Sequence, residues 1–151
     1  MTWQDDFLKA GSIASQTLQY GKSLMKEGAL VVDILDKVEE HIISLGAGIA
    51  FPAQISHNAV AAHACSSLND DRVIGFDDVV KLDVGAHVNG FIGDNALTVN
   101  LSGEHADLIK ASRDAVDNAV KMAVPGNRVG EIGGVIQDTI TDAGFAPVRN
   151  L

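Results

Sequence analysis

The sequence predicts an α+β domain in which helices cover one face of an antiparallel sheet. Three observations predict this class. Apolar residues recur at helical spacing near both ends of the chain, the middle carries short apolar runs, and an Asn-Gly pair separates two alternating runs. The predicted order is two helices, four strands, two helices and a last strand. With 151 residues and 46% hydrophobic content, the chain is long enough for one domain with a core.

Two helices are predicted at the start of the chain. The first covers 3–27, where apolar residues from Trp3 to Leu24 fall at roughly helical spacing and Gly28 provides a stop. The second covers 31–45, with an apolar side that includes Val38 and Ile42 and an acidic side that includes Glu39. Both patterns are typical of helices that bury one face against a sheet.

The central segment predicts the sheet and the end of the chain predicts two more helices. Short apolar runs favour strands, a polar run with many turn-forming residues favours a loop, and a period of 3.6 residues favours helices. The predicted strands are 49–56, 59–65, 78–87 and 90–101, the loop is 66–78, the helices are 104–123 and 128–143, and a last strand begins at 145–148.

The composition limits which classes of binding partner and which cellular compartment the sequence predicts. The net charge is −9, so the chain lacks the basic surface that binds phosphate backbones and nucleic acid is not an expected partner. The acidic balance leaves carboxylates available for cations. Cys65 is the only cysteine, which excludes an intrachain disulfide. No signal peptide and no membrane span are recognisable, and the sequence predicts a cytoplasmic protein.

Two aspartates fall on opposite arms of the predicted hairpin. If Asn89 and Gly90 form a two-residue turn, Asp83 lies opposite Ala96 and Asp94 lies opposite Gly85. Side chains alternate between the faces of a strand, so both carboxylates share one face as diagonal neighbours, roughly 7–8 Å apart at the backbone. The other face then collects apolar residues for the helices to cover, namely Val80, Leu82, Val84, Phe91, Leu97 and Val99.

Such a pair of carboxylates has two interpretations. Two close carboxylates repel each other when both are ionised, and a divalent cation between them removes that cost. Two metals about 3.5–4 Å apart can activate a water and polarise a peptide carbonyl together. Aspartates near a hairpin turn are, however, more often simply exposed, and two carboxylates are too few for a two-metal site. The surrounding sequence favours the metal interpretation.

Two segments carry a family resemblance. The run FPAQISHNAVAAH at 51–63, followed by DDVVKLDVGAHVNGFIGDNALTV at 77–99, resembles the type II methionine aminopeptidases, especially their short archaeal form. PGNRVGEIG at 125–133 and GFAPVRNL at 144–151 extend the similarity over nearly the whole chain. The resemblance implies a pita-bread (creatinase/aminopeptidase) fold, which has two α+β halves with a dinuclear metal site between them.

The resemblance also implies an activity and site residues. The family removes the initiator methionine from new proteins with two divalent ions, which could be cobalt, manganese, iron or zinc. Asp83 matches an aspartate that binds one metal with both oxygens, and Asp94 matches one that bridges both metals. His63 matches a histidine beside the site that helps to bind the substrate, the N-terminal methionine, and to stabilise the tetrahedral intermediate.

Three of the family's five metal ligands have no counterpart in the sequence. The family's ligand histidine follows the R-N-L run, and here the chain stops at Asn150 and Leu151; the two ligand glutamates lie further on. Residues 1–151 are therefore predicted to be the N-terminal half of a catalytic domain whose C-terminal half is its missing partner. Alone, this half is predicted to have little or no activity.

Other interpretations stay open at the level of sequence. Pita-bread relatives that have lost peptidase activity act as binding modules, and X-Pro dipeptidases share the two-aspartate hairpin. Among the other candidates, His57 is interpreted as a surface or packing residue, Cys65 as a small packing residue and His87 as a structural hydrogen-bonding residue. His41 and His105 lie at polar helix positions and are predicted to be exposed.

Overall fold

A computed structural model describes residues 2–148 and confirms the predicted α+β class. It contains four helices and three strands within that range: α1 Trp3–Leu24, α2 Val31–Ser44, β1 Gly48–His57, β2 Val79–Val88, β3 Phe91–Asn100, α3 Ala106–Met122 and α4 Val129–Asp142. The chain divides into two compact units after Gly103. The first unit contains α1, α2 and the sheet, and the second contains α3 and α4.

The first helix begins at a capping box. Thr2 Oγ1 accepts a hydrogen bond from the Asp5 amide at 3.3 Å, and Asp5 Oδ2 accepts one from the Thr2 amide at 2.7 Å. These bonds satisfy two of the amide groups that a helix start leaves unpaired. The helix ends at Leu24, three residues before the predicted end, and Gly28 then adopts a φ of +77°. The glycine therefore shapes the turn after the helix rather than its last residue.

The sheet of the first unit has the strand order β1-β2-β3, and both pairs are antiparallel. α1 packs against β2 and β3, and α2 packs against β1. The core between helices and sheet contains fully buried residues from every one of these elements except β3, whose apolar residues are partly buried against it. Val80, Leu82 and Val84 are buried as predicted, which fixes the face of β2 that the helices cover.

Two predicted strands are not strands. Residues 59–65 form a turn and an irregular segment, because Asn58 at φ +53° ends β1 and His63 takes a φ of +64°. Such left-handed values are incompatible with an extended strand. Residues 145–148 are also irregular and follow Gly144 at φ +85°; among the described residues no strand pairs with them. Asn150 and Leu151, which complete the R-N-L run, lie outside the described residues.

The second unit is a pair of packed helices. Asn118 Nδ2 of α3 donates to Thr139 Oγ1 of α4 at 3.3 Å. Ala111 and Ala115 of α3 are buried, whereas Val116 and Val120, predicted on the same apolar face, are 54% and 67% exposed. No residue of α4 is fully buried. Helical periodicity therefore predicts both helices correctly but not how much of each face is covered. None of the helices within residues 2–148 has the length and hydropathy needed to cross a membrane.

An ion pair ties the predicted loop at 66–78 to the sheet. Arg72 Nε donates to Asp70 Oδ1 at 2.9 Å, and Arg72 Nη1 donates to the Ile55 carbonyl of β1 at 3.1 Å. The Asp70 carboxylate also accepts from the hydroxyl of Ser66 and is only 6% exposed. These hydrogen bonds, with Arg72 foremost, hold the pKa of Asp70 well below its usual range.

The pKa of Asp70 predicts a pH-dependent contribution to stability. A carboxyl whose pKa is lower in the folded state stabilises the fold above the unfolded pKa, near ~4, and loses this contribution progressively as the pH falls below it. We expect Asp70→Asn to lower the free energy of unfolding by about 1–2 kcal/mol at pH 7, with a smaller difference from wild type at acidic pH. Urea unfolding at a series of pH values measures it.

Asp114→Asn is the matched control for this prediction. Asp114 pairs with Lys110 on α3, but its side chain is 45% exposed and that of Lys110 is 71% exposed. An exposed pair of this kind contributes about 0–1 kcal/mol. Equal effects of the two substitutions at pH 7, or an Asp70→Asn difference that does not shrink on acidification, would contradict the assignment.

Candidate metal centre

The hairpin turn sets the positions of both aspartates. Asn89 and Gly90 have φ values of +51° and +88°, as a type I′ turn requires. The predicted register is confirmed: Val88 pairs with Phe91, Asp83 with Ala96 and Asp94 with Gly85. Two hydrogen bonds hold the turn, from Asn89 Nδ2 to Asp6 Oδ2 at 3.1 Å and from the Gly90 amide to His87 Nδ1 at 3.4 Å. The second bond gives His87 its predicted structural role.

The two aspartates lie on the sheet face that α1 does not cover. Leu82 and Val84 are completely buried beneath the helices, so Asp83 between them points to the opposite face. The register places Asp94 on that same face of β3. Asp83 is half-buried and Asp94 is exposed. The carboxylate of Asp83 is thus partly shielded from solvent, whereas that of Asp94 is open to it.

The negative charge of Asp94 acts on the carboxyl group of Asp83. Burial raises the pKa of Asp83, and the negative charge of Asp94 raises it further. Ionisation of both carboxyl groups is therefore unfavourable, and a bound cation would remove this penalty.

One oxygen of this pair is unsatisfied. Asp83 Oδ1 is buried and has no hydrogen-bond partner within residues 2–148. A buried polar atom normally has a partner, and its absence calls for an explanation such as an ion. Carboxylate oxygens suit divalent cations such as manganese, and they also bind zinc. The donor chemistry, the orphaned oxygen and the mutual repulsion all fit a divalent metal at this position.

His63 lies beside the aspartate pair, although 20 residues separate it from Asp83 in the sequence. Its positive charge, when protonated, lowers the pKa of Asp83, which places the imidazole within electrostatic reach of that carboxylate. The side chain is exposed and stands on the irregular segment after β1. Asp83 and Asp94 thus share one face of the sheet, and His63 is near enough for its charge to act on Asp83.

The other histidines do not join this group. His57 lies at the end of β1, and its Nε2 atom is 3.9 Å from Asp78. Its ring nitrogens are buried without a hydrogen-bond partner among the described residues, and burial is the main cause that lowers the pKa of His57. This environment fits the predicted packing role. His41 stacks on Tyr20 with ring centroids 4.4 Å apart, so it is partly covered, whereas His105 is exposed as predicted.

Cys65 corrects one sequence interpretation. It is free and exposed, so within this structure it is not a packing residue. The prediction assumed that residues 59–65 form a strand with one buried side. Because the segment is irregular, its side chains do not alternate between a buried and an open face.

Two residues next to the aspartates were not predicted from the sequence. Gln54 of β1 pairs with Asp83, is 9% exposed, and leaves its Oε1 atom buried without a partner in the described chain. Phe51 lies over Gly85, where an added Cβ would come within 2.2 Å of its ring. Register shifts on either side of Phe51 bring both residues to the site. Pro52 within this stretch is the available sequence signal, since proline cannot donate to a ladder.

The aspartate pair does not form a complete metal site by itself. Within residues 2–148 no group of three or more His, Cys, Asp or Glu side chains is arranged to hold an ion. Asp83 and Asp94 thus offer two carboxylates for a cation. A two-metal centre of the kind that hydrolyses peptides needs more donors than these.

Comparison with known proteins places this geometry in a family. Residues 5–151 match the model of metallopeptidase family M24. The methionine aminopeptidase of Methanocaldococcus jannaschii is 42% identical over 147 residues, which cover 97% of this chain and 50% of that protein. That of Archaeoglobus fulgidus is 42% identical over 148 residues, again covering 50% of the relative. The chain thus spans about half the length of these relatives.

Solved structures agree on the fold. A methionine aminopeptidase from Thermotoga maritima superposes with a TM-score of 0.88 at 26% identity, over 97% of this chain and 62% of that one. The prolidase of Pyrococcus furiosus gives a TM-score of 0.83 at 24% identity, over 93% of this chain and 42% of that one, which concerns the fold alone. The predicted half of a pita-bread fold is confirmed, and the chain belongs to metallopeptidase family M24.

Proposed function

We propose that this chain is the N-terminal half of a methionine aminopeptidase catalytic domain, which removes the initiator methionine from new proteins with two divalent metal ions. The observation that carries the proposal is the carboxylate pair of Asp83 and Asp94, with an orphaned buried oxygen and His63 beside it. The identity of 42% to archaeal methionine aminopeptidases supports the choice of substrate. Since new proteins are the substrate, the proposed site of action is the cytoplasm.

Each of the three residues has a distinct task in this proposal. Asp83, which is half-buried and fixed by the hairpin register, would hold a metal ion. Asp94, which is exposed on the neighbouring strand, would be the second carboxylate that holds metal. When bound, divalent cations would supply Lewis-acid chemistry for the hydrolysis of a peptide bond. His63, exposed beside the pair, contacts the substrate and donates a hydrogen bond to the oxygen on which negative charge develops.

The remaining ligands come from outside these residues in this proposal. Two aspartates fill part of the donor set, and the chain spans about half the length of its relatives. A C-terminal half would therefore be the partner that completes the centre. Carboxylates alone do not distinguish manganese, cobalt, iron and zinc, so the native metal is left open.

A peptidase assay tests the proposal. The polypeptide from the complete reading frame that contains residues 1–151 is stripped of metal, reloaded with Mn²⁺ or Co²⁺, and offered Met-Ala-Ser and an Ala-Pro peptide. We expect metal-dependent release of methionine from Met-Ala-Ser. Cleavage of the Ala-Pro peptide instead would indicate an X-Pro peptidase, and no cleavage of either would favour a binding module.

The isolated 151-residue chain is the control for the incomplete centre. Its described residues bring together the two aspartates and no third donor, so we expect little or no release of methionine at any metal concentration. Robust metal-dependent release by the purified chain would show that the site within these residues is sufficient. That result would overturn the proposal that a second half is needed.

A further inference from the structure

A short loop carries His63 from the end of β1 to its place beside Asp83. The loop begins at Asn58 and returns to the sheet at Ala64. Both Asn58 and His63 have left-handed φ values, +53° and +64°. Such values are unusual for residues other than glycine and persist only where the surroundings enforce them. The loop therefore needs contacts that hold this conformation.

Asn58 supplies most of these contacts. Its backbone amide donates to the Val79 carbonyl at 2.8 Å, and its side-chain Oδ1 accepts from the Val79 amide at 2.9 Å. Its Nδ2 group donates to Asp78 Oδ1 at 2.8 Å, and its carbonyl accepts from Lys81 Nζ at 2.8 Å. The side chain thus acts as donor and acceptor at once, which an amide can do and an ionised carboxylate cannot.

The far end of the loop is held to β1, the strand that precedes it. The Ala64 amide donates to Ser56 Oγ at 3.4 Å, and Ser56 is only 2% exposed. Ser56 pairs with Lys81 in the sheet, two residues from Asp83. The loop is therefore bonded on one side of His63 to β2, the strand that contains Asp83, and on the other side to β1.

We propose that Asn58 is a positioning residue which, together with Ser56, fixes the loop that holds His63 beside the aspartate pair. The inference deepens the proposed function, and it rests on that function for the meaning of His63. Asn58 itself lies outside the aspartate pair and acts through the backbone of the loop. Its loss should displace His63 while leaving the two aspartates where they are.

Two substitutions separate the side chain of Asn58 from its backbone. Asn58→Gly tolerates the φ of +53° but removes both side-chain hydrogen bonds. Asn58→Asp keeps an acceptor for Val79 and puts a second carboxylate against Asp78. Ser56→Ala removes only the acceptor for Ala64 and keeps the fold testable if a change at Asn58 prevents folding. Asn127→Ala is the control, because Asn127 makes a comparable bond to the Met122 carbonyl at 2.9 Å in the other unit.

The first readout is NMR of the 151-residue chain without metal. In the wild type, the Cα and Cβ shifts of His63 should report a left-handed backbone, and the Ala64 amide should exchange slowly. In Asn58→Gly and Asn58→Asp, we expect the His63 shifts to move toward irregular-chain values and Ala64 exchange to accelerate severalfold, with β2 and β3 unchanged. Asn127→Ala should match the wild type. Unchanged His63 shifts and Ala64 exchange in both Asn58 variants would overturn the inference.

The second readout adds Mn²⁺ alone, whose paramagnetism broadens nearby resonances. We expect the ring signals of His63 to be broadened in the wild type and broadened severalfold less in Asn58→Gly, while the amides of Asp83 and Asp94 stay broadened in both. Equal His63 broadening in the two proteins would contradict the positioning role. Absence of broadening at the aspartates in the wild type would instead refute the proposed metal centre, and the metal-free readout would still decide the role of Asn58.

Discussion

Asp83→Asn is expected to stabilise the metal-free chain while weakening its binding of Mn²⁺. The two effects have opposite signs because Asp83 is poorly satisfied without a cation. Its Oδ1 atom is buried without a partner among the described residues, and Asp94 repels its charge. Asparagine has the same shape, is neutral, and can donate a hydrogen bond to Asp94. Relief of repulsion between neighbouring strands is worth about 0.5–1 kcal/mol.

The expected loss of metal binding is larger. Asp83 supplies one of the two carboxylates that the described residues bring together, so replacing it removes a charged ligand from an already small donor set. We expect Mn²⁺ affinity to fall by at least about tenfold. Mutation of a residue that only hydrogen-bonds to a metal ligand already lowers metal affinity by about 10–100-fold. Asp94→Asn should behave alike. Urea unfolding in the presence of a chelator measures the first effect, and calorimetric titration with Mn²⁺ measures the second.

Asp71→Asn provides the control for both measurements. It makes the same change of charge on an exposed loop residue of the same unit. Neither stability nor Mn²⁺ affinity should change appreciably. If Asp83→Asn lowers the stability of the metal-free chain, the carboxylate makes a stabilising interaction of its own. The interpretation that Asp83 and Asp94 repel each other in the absence of a cation would then be wrong.

The hairpin shows what local sequence can predict. Asn89 and Gly90 both accept positive φ, so a two-residue turn is strongly favoured and fixes the register of both strands. Once the register is fixed, the alternation of side chains places Asp83 and Asp94 on one face without any knowledge of the rest of the fold. The structure confirms every pair that follows from this turn.

The loop that carries His63 shows where such reasoning stops. The small and apolar residues of 59–65 resemble a strand, but the conformation depends on Asn58 bonding to Asp78 and Val79, about 20 residues away. Contacts of this length leave no periodic signal in the sequence. The same limit applies to β1, whose register shifts bring Gln54 next to Asp83. The link between His63 and the aspartates came from family resemblance and not from spacing.

The helices of the second unit show a related limit. Periodicity predicted α3 and α4 because an apolar stripe every 3.6 residues is a property of one segment. Burial depends on what lies against that stripe. Val129 is 84% exposed and no residue of α4 is fully buried. The stripe thus identifies the element but does not predict the extent of its core.

The close contact between α1 and the sheet predicts a coupling between Gly21 and Leu82. A Cβ on Gly21 would lie 2.5 Å from Leu82 Cδ2 and 2.9 Å from Val38 Cγ2, and Leu82 and Val38 are completely buried. Gly21→Ala should therefore overpack the core at a cost of about 1–3 kcal/mol. A gain of about 0.5–1 kcal/mol from replacing a helical glycine offsets part of that cost.

Leu82→Ala should lower the free energy of unfolding by about 2–5 kcal/mol, because it leaves a cavity in the core. In the double variant, the new methyl group of residue 21 enters the space that Leu82 has left. The double variant should thus be more stable than the sum of the single changes predicts, by about 0.5–3 kcal/mol. Urea unfolding of the wild type, both single variants and the double variant measures this coupling.

Gly11 of the same helix supplies the matched control for the cycle. A Cβ on Gly11 meets no atom of residues 2–148 within 4 Å, so Gly11→Ala should gain the helix contribution of about 0.5–1 kcal/mol without overpacking. Its effect should add to that of Leu82→Ala within about 0.5 kcal/mol. If the cycle with Gly21 were equally additive, α1 would not rest on Leu82 as closely as the structure has it. The helix would then have room to move over the strand that holds Asp83.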